Sequence, residues 1–490
     1  MGVAEHGVWK TRGDEETHVV RERRQRFYDF FEVPETAVPL SLMSIASMRW
    51  RYGLFLAVVF VSFSLYFGWM SWQRDGGRPD VPPPPGDTHD YDSIAVGLLH
   101  GHGFLADFAD PEFRRPYEAA NGDGTYDELL ARTFRQRAEN RPPLLPVMVA
   151  ATYRVFGRSF LAWQLVNSVL TALGLTIVCA VAWHAFGSRV ALLSAGMMFI
   201  SGSYVEQVAF LVMMSETLAI LVIALLVVML SRLAATKSVR TAVACGALAG
   251  LLVLARTIFV LWLPLLPLLA AWIVVRAAGS RRQAVLVAVT VFGVACAVQL
   301  PWWIRNCIVL GAFMPTGTQG RTGLYAAYSD AAVHRVRWWG PPREEMQTAF
   351  TPQLGKPCAA SDDRSLAQCE PKGAWTWIKQ NPLKVPLLAF RKVQMTINDL
   401  PDVGPGWRLF IGALAAPFVL WRRRKFVDTT TVTILAAFIL FDFAAIAVTW
   451  TVGWRFAVPV EPLISIAVAI ALAAMLFGES AVAREERTIA

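Results

Sequence analysis

The chain has 490 residues, of which 55% are hydrophobic and only 17% charged, and its mean hydropathy is +0.43. This balance excludes an ordinary soluble protein of this length and predicts a protein whose solvent is a lipid bilayer. The net charge of +9 does not indicate nucleic-acid binding, because most of the surplus basic residues lie next to apolar stretches, as the positive-inside rule expects.

Apolar stretches recur along the chain at lengths close to that of a transmembrane helix, about 17–25 residues. The first of them is expected to remain as an anchor, because roughly fifty residues precede it and no small-residue cleavage site follows it. In all, they predict an all-α integral membrane protein with about ten spans, at residues 53–70, 163–186, 190–210, 217–231, 241–255, 258–275, 284–303, 409–421, 431–450 and 456–477.

Basic clusters predict the orientation of these spans. If residues 21–26 and 49–51 lie in the cytoplasm, the later arginine clusters also fall inside, and two long loops fall outside. We therefore expect both termini to be cytoplasmic. The predicted divisions are a cytoplasmic segment 1–50, a transmembrane core 51–303 that includes a first outer loop 71–162, a second outer loop 304–406, C-terminal helices 407–478 and a cytoplasmic tail 479–490.

The first outer loop contains a stiff proline run, residues 82–85, followed directly by Gly86 and Asp87. Apolar residues then recur at helical spacing between residues 94 and 99, which predicts a short amphipathic helix on the outer leaflet. The apolar segment 142–156 has only about fifteen residues, too few to cross the bilayer. We expect it to lie at the interface, because a crossing would move every later loop to the other side.

Several short motifs follow one another between the first outer loop and the last span. They are Gly86-Asp87-x-x-x-Tyr91-x-x-x-Ala95, Gly101-x-Gly103-Phe104, Arg141-Pro142-Pro143-Leu144-x-Pro146, Phe156-Gly157, Asn167, Ser215-Glu216-Thr217-Leu218, Leu254-Ala255-Arg256, Pro301-Trp302-x-x-Arg305-Asn306, Gly311-x-Phe313-x-Pro315 and Arg455-x-x-x-Pro459-x-Glu461-Pro462. In this order they resemble the polytopic, GT-C-type glycosyltransferases that use lipid-linked sugars. The resemblance covers about residues 50–477 and points to the bacterial branch of the dolichyl-phosphate-mannose protein mannosyltransferase family, which includes aminoarabinose transferases.

The resemblance implies a glycosyltransferase of the bacterial inner membrane that faces the periplasm. The implied donor is a sugar on a polyprenyl-phosphate carrier, and the acceptor is an extracytoplasmic glycan, lipid or protein. Such a site needs a base, cations for the leaving phosphate and an apolar groove for the lipid tail. A transporter or flippase of lipid-linked sugars and a noncatalytic assembly subunit are the alternatives; the first often shows repeated halves and charged sites near the midplane.

Asp87 is the candidate catalytic base, because the resembling family has an acidic residue at this place in its first outer loop. Transfer would then be one displacement with inversion at the anomeric carbon. Asp87 could instead cap the helix that begins near Tyr91, since aspartate favours such positions. Asp90 is the second choice for the base, although Asp90 and Asp92 could simply favour the positive end of that helix.

Four arginines are expected to bind the donor phosphate, because a guanidinium stays charged and can bond two phosphate oxygens at once. They are Arg141, Arg256, Arg305 and Arg455. Arg141 stands where aminoarabinose transferases typically carry lysine, so the charge is kept and its geometry differs. Any of these side chains could instead extend to lipid headgroups at the outer interface.

Glu216 begins an apolar helix, where a charge is costly and usually has a purpose. It is expected to bind a divalent metal ion together with Asp87 or to orient an acceptor, and otherwise to favour the helix N-terminus. The charge pattern of the spans brings Glu216 to the same outer face as Asp87 and the arginines. Asp442 lies near the middle of a span and is a functional candidate by position alone.

Cysteines and aromatic residues of the second outer loop support weaker expectations. Cys358 and Cys369 could form a disulfide in an oxidising compartment. The aromatic pairs Trp338-Trp339 and Trp375-x-Trp377 could cover a bound donor, or populate the membrane interface without binding anything. His100 and His102 lack a third ligand at usable spacing, so no zinc site is expected there.

Overall fold

The described part of the chain is folded almost entirely into helices. Our computed structural model describes residues 42–78, 81–82, 87–121, 136–137, 141–321, 324–334, 363–398, 406–449 and 453–483. In the first half, the helices and one pair of short antiparallel strands are α1 (Leu42–Asp75), α2 (Asp87–Leu99), β1 (Ala106–Asp107), α3 (Pro111–Asn121), β2 (Gln136–Arg137), α4 (Leu144–Phe156), α5 (Phe160–Phe186), α6 (Ser188–Phe199), α7 (Gly202–Val205), α8 (Ser215–Thr236) and α9 (Val239–Ala255).

The second half continues in the same way, with 3₁₀ turns between some helices. These turns span Thr257–Trp262, Trp454–Phe456, Val458–Val460 and Glu479–Ala481. The helices are α10 (Leu265–Arg276), α11 (Arg281–Leu310), α12 (Leu324–Ala327), α13 (Asp330–His334), α14 (Asp363–Gln380), α15 (Lys384–Asn398), α16 (Gly406–Arg422), α17 (Thr429–Val448) and α18 (Glu461–Phe477).

Within the described ranges, six helices are long and apolar enough to cross a bilayer: Trp50–Asp75, Phe160–Phe186, Ser215–Thr236, Arg281–Leu310, Thr429–Val448 and Val458–Phe477. Shorter apolar helices account for the other four predicted segments and for Leu144–Phe156, which was predicted to lie at the interface. The predicted all-helical, polytopic architecture is therefore confirmed. α1 and α11 bury the smallest shares of their apolar windows, 17% and 28%, and expose apolar side chains as lipid-facing helices do.

Local capping explains where several helices begin. The side chains of Ser159, Ser280 and Asp428 accept backbone N–H groups at the starts of α5, α11 and α17, from Ala162, Gln283 and Thr430. A capping side chain satisfies one of the N–H groups that an α-helix leaves free in its first turn. Lys237 adopts a left-handed conformation that ends α8 and turns the chain into α9. α8 and α9 therefore run antiparallel, and the start of α8 lies beside the end of α9.

Two of the predicted spans are wrong as continuous helices. The segment 190–210 is broken because Ser201 is extended, and its hydroxyl donates to Glu461 instead of continuing the helix. The segment 258–275 is a 3₁₀ turn, Thr257–Trp262, followed by α10, and Pro264, which has no backbone N–H to donate, is the residue directly before α10. Both breaks lie close to the charged residues described below.

α9 and α11 pack closely through Gly246 and Gly250, a spacing of small residues that lets helix backbones approach each other in a membrane. A Cβ atom on Gly250 would lie 2.7 Å from Val298 Cβ and 2.9 Å from the Ala295 carbonyl oxygen. We therefore expect Gly250→Ala to lower the free energy of unfolding by about 1–3 kcal/mol, the usual cost of overpacking.

The matched control is Gly293→Ala, because a Cβ atom there meets nothing within 4 Å. Alanine is the better helix former, so the control is expected to leave the unfolding midpoint unchanged or to raise it. Thermal unfolding of the purified protein in detergent measures both variants. Equal midpoints for the two variants would contradict the close packing of α9 against α11.

Candidate active site

The first turn of α2 carries two carboxylates that share one arginine. Arg141 Nη2 lies 2.5 Å from Asp87 Oδ1, and Arg141 Nε donates to Asp90 Oδ2 at 2.8 Å. Its guanidinium also lies over the ring of Tyr91, 5.2 Å from the centroid. The helix N-terminus favours both acids, and the arginine binds both side chains together.

Arg455 joins this group to α8. Its Nη2 atom lies 2.6 Å from Asp87 Oδ2, and its Nε atom donates to Glu216 Oε1 at 2.5 Å. Arg455 lies in the 3₁₀ turn Trp454–Phe456 just before α18. One guanidinium therefore connects carboxylates from two helices that are distant in sequence.

Glu216 is fully buried in the first turn of α8, and it accepts a second ion pair from Arg256 Nη1 at 2.5 Å. Arg256 directly follows α9 and has an extended backbone, which ends the helix there. The antiparallel pairing of α8 and α9 brings the two residues together. A carboxylate inside an apolar bundle needs such partners, because an unpaired buried charge is very costly.

These contacts form a continuous series of alternating charges, which we call the charge chain. It contains equal numbers of carboxylates and guanidiniums. Its members, in order of contact, are Arg256, Glu216, Arg455, Asp87, Arg141 and Asp90. Its most accessible part is the pair Asp87 and Arg455, whose side chains are 26% and 24% exposed, whereas Glu216 is closed off. A ligand would therefore reach the charge chain at Asp87 and Arg455.

Burial of Asp87 disfavours its charged form, but the guanidiniums of Arg141 and Arg455 outweigh that effect and hold the pKa of this carboxyl below its usual range. Asp87 is therefore ionised at neutral pH. A carboxylate with so low a proton affinity is a weak base as long as both arginines bind it.

Sequence reasoning identified every member of the charge chain but also included Arg305, which has different partners. Arg305 Nη2 donates to the Phe104 carbonyl oxygen at 2.8 Å, and its guanidinium lies 4.9 Å from the centroid of the Trp302 ring. Asp442 is fully buried within α17, and neither of its carboxyl oxygens has a hydrogen-bond partner among the described residues. It lies inside the candidate span Thr429–Val448, and its predicted functional role stays a prediction.

The predicted metal site does not fit the residues present. Arg455 lies between Asp87 and Glu216, where a shared cation would have to sit. Of the four carboxyl oxygens of Asp87 and Glu216, only Oε2 of Glu216 lacks a hydrogen-bond partner among the described residues, and one free oxygen is too few for a divalent ion. Those residues also contain no group of three or more His, Cys, Asp or Glu side chains suited to a metal.

Asp92, which the sequence suggested as a helix-start residue, instead joins several elements of the segment predicted as the first outer loop. The buried carboxylate accepts hydrogen bonds from Tyr117 at 2.9 Å, Tyr153 at 2.7 Å and Arg158 at 2.5 Å. These partners come from α3, from α4 and from the connection that follows α4. Asp92 therefore fixes α2, the helix that carries Asp87 and Asp90, against its neighbours.

We expect Asp92→Asn to lower the free energy of unfolding by about 1.5–3 kcal/mol, because the amide cannot replace a charged acceptor for Arg158. Asp110→Asn is the matched control, since Asp110 accepts an exposed N–H at the start of α3 and asparagine caps equally well. Thermal unfolding compares the two. An unchanged midpoint for Asp92→Asn would contradict the structural role of this carboxylate.

The aromatic residues of the segment predicted as the second outer loop divide between core and surface. Trp377 is fully buried with Tyr328 and Leu388, and its indole donates to Asp330 at 3.3 Å, so it stabilises the loop itself. Trp375 is exposed, whereas Trp338 and Trp339 lie outside the described residues. Cys369 is disulfide-bonded, and Cys358 also lies outside them.

No family model and no curated protein matches the chain. Two solved structures that resemble it are crystal structures of ArnT from Cupriavidus metallidurans, one bound to undecaprenyl phosphate and one in the apo state. The bound structure is 15% identical to the chain, the match covers 85% of this chain and 77% of that one, and the TM-score is 0.37. For the apo structure the identity is 16%, the covered shares are 87% and 78%, and the TM-score is 0.34.

Proposed function

We propose that the chain is a membrane glycosyltransferase that moves a hexosyl or pentosyl group from a polyprenyl-phosphate carrier to an extracytoplasmic acceptor. The observation that supports this most directly is the accessible part of the charge chain, where the carboxylate of Asp87 touches two guanidiniums. A carboxylate can accept the proton of an attacking hydroxyl, and guanidiniums can bind the oxygens of a leaving phosphate. Lipid-linked sugar transfer needs both groups at one place.

In the proposed reaction, the acceptor hydroxyl loses its proton to Asp87 while its oxygen bonds to the anomeric carbon. The bond between that carbon and the phosphate oxygen breaks, and the phosphate leaves with the bonding electrons. A single displacement of this kind inverts the anomeric configuration. Arg455 and Arg141 stabilise the departing negative charge, which is a large effect in a site that excludes water.

The ion pairs of Asp87 support a coupling between donor binding and basicity. A phosphate that binds Arg455 or Arg141 competes with Asp87 for the same N–H groups. Because these partners are what lowers the pKa of Asp87, loosening them raises its proton affinity. We therefore infer that the donor itself makes Asp87 a better base.

Arg256 and Arg305 have different roles in the proposed reaction. Arg256 is buried against Glu216 and holds that carboxylate in place for Arg455. Arg305 is kept as a further contact of the donor phosphate on the basis of its sequence motif. Asp90 competes with Asp87 for Arg141 and is the reserve candidate for the base.

The proposed location is the bacterial inner membrane, with both termini in the cytoplasm and the charge chain facing the periplasm. The positive-inside pattern of the loops supports this orientation. The proposal places the cytoplasmic segment at residues 1–50 and the outer loops at 71–162 and 304–406. The acceptor class, whether glycan, lipid or protein, is left open.

The experiment that tests this function measures transfer of labelled sugar from a panel of polyprenyl-phosphate sugars by the purified protein, with and without a chelator. Turnover of one donor, with inverted configuration in the product, is the expected result. A lack of turnover together with movement of a lipid-linked sugar between vesicle leaflets would favour a flippase. A lack of both would favour the assembly subunit.

A further inference from the structure

The chain between α6 and α8 departs from regular structure just before Glu216. Residues Glu206–Phe210 form one turn of π-helix, and Val212 has a positive φ of 61° although it is fully buried. A β-branched residue in this region of backbone conformation is a real outlier. A strained backbone conformation persists only where surrounding contacts hold it in place, and such conformations are frequent at functional sites. We call residues 201–214 the bracket segment.

Side chains from two helices hold the bracket segment by its backbone carbonyl groups. The Thr88 hydroxyl donates to the Leu211 oxygen at 2.6 Å, and Trp163 Nε1 donates to the Val212 oxygen at 3.0 Å. Gln164 Nε2 donates to the Ala209 oxygen at 2.9 Å. Thr88 directly follows Asp87, so one of these bonds ties the bracket segment to the start of α2.

The other end of the bracket segment is tied to the turn that carries Arg455. Ser201 donates to Glu461 at 2.5 Å, and Trp454 Nε1 donates both to Glu461 at 2.8 Å and to Ser203 at 3.1 Å. Trp454 is the residue before Arg455. The bracket segment therefore contacts the elements that carry Asp87 and Arg455, and it leads directly into Glu216.

We propose that Thr88 and Trp163 are positioning residues that hold the bracket segment so that Glu216 and Arg455 meet Asp87 in the geometry of the charge chain. This inference rests on the proposed function for its effect on catalysis. Neither residue touches the reacting atoms in this account. Each acts through one backbone carbonyl group: Thr88 through that of Leu211, and Trp163 through that of the strained residue Val212.

Thr88→Val tests the inference with almost no change in shape, because it removes the hydroxyl that holds Leu211. We expect kcat per folded molecule to fall about tenfold with little change in donor KM, since small misplacements of catalytic groups cost mainly transition-state stabilisation. Trp163→Phe, which removes the donor to Val212, is expected to act in the same direction. Thr176→Val is the matched control, because the Thr176 hydroxyl donates to the Ala172 carbonyl one turn away within α5.

Two further readouts separate positioning from a merely structural role. If Arg455 loosens from Asp87, the pKa of Asp87 rises and the acid limb of the pH–rate profile moves to higher pH. Thr88→Val should also add little to the loss caused by Glu216→Gln, because both changes act on the same contact. If Thr88→Val left both kcat per folded molecule and the acid limb unchanged, the inference would be overturned. It would also be overturned if the losses of rate caused by Thr88→Val and Glu216→Gln multiplied fully in the double variant.

If the wild type transfers no sugar, the proposed function fails, but thermal unfolding still tests whether Thr88 and Glu216 are coupled. Thermal unfolding midpoints are then compared for Thr88→Val, Glu216→Gln and the double variant. A double variant whose shift is clearly smaller than the sum of the single shifts supports coupling through the bracket segment. Additive shifts would overturn it.

Discussion

Replacing Asp87 by asparagine is expected to lower kcat for sugar transfer by about 10²–10⁴-fold, the usual contribution of a general base. The amide keeps the size of the side chain but cannot accept the acceptor proton. It also pairs poorly with Arg141 and Arg455, so the rate is measured per folded molecule, from single-turnover transfer of labelled sugar.

The comparison of Asp87→Asn with Asp90→Asn distinguishes the two candidates for the base. The Asp90 side chain is less exposed than that of Asp87, 7% against 26%, so it is less accessible to an acceptor hydroxyl and its variant is expected to lose less of the rate. Asp110→Asn makes the same chemical change outside the charge chain and serves as the control. A larger loss for Asp90→Asn than for Asp87→Asn would contradict the assignment of Asp87.

Arg455→Lys is expected to lower kcat by about 10²-fold, close to the effect of removing one donor that stabilises developing charge. The guanidinium donates to Glu216 through Nε and to Asp87 through Nη2, and an ammonium on a flexible stem does not reproduce that fork. We also expect the donor KM to rise, because the phosphate loses a bidentate partner. Steady-state kinetics over a range of donor concentrations separates the two effects.

Arg154→Lys is the matched control for this variant, because Arg154 is exposed on α4 and outside the charge chain. A normal kcat and KM for Arg154→Lys would show that the loss of a guanidinium alone is harmless. If Arg455→Lys behaved like that control, Arg455 would not be a phosphate ligand, and the proposed mechanism would lose its main cation.

The residues of the charge chain could be predicted from sequence because each stands in a short motif beside an apolar segment. Their pairing could not be predicted, since Asp87 and Arg455 are 368 positions apart. The same reasoning grouped Arg305 with the others as a phosphate contact, which stays a prediction, but it did not indicate that Arg305 contacts the Phe104 carbonyl oxygen and the Trp302 ring. It also missed Thr88 and Trp163, whose roles depend on the backbone of a distant segment.

The sequence by itself determined the solvent of this protein and the number of its apolar segments, because hydropathy is a sum over neighbouring residues and needs no tertiary contact. It did not determine where those helices break. The ends at Phe199 and Ala255 depend on Ser201 donating to Glu461 and on Arg256 turning toward Glu216. Only the tertiary structure decided where the helices end, because the backbone beside a buried charge or hydroxyl adopts the conformation that lets that group reach a distant partner.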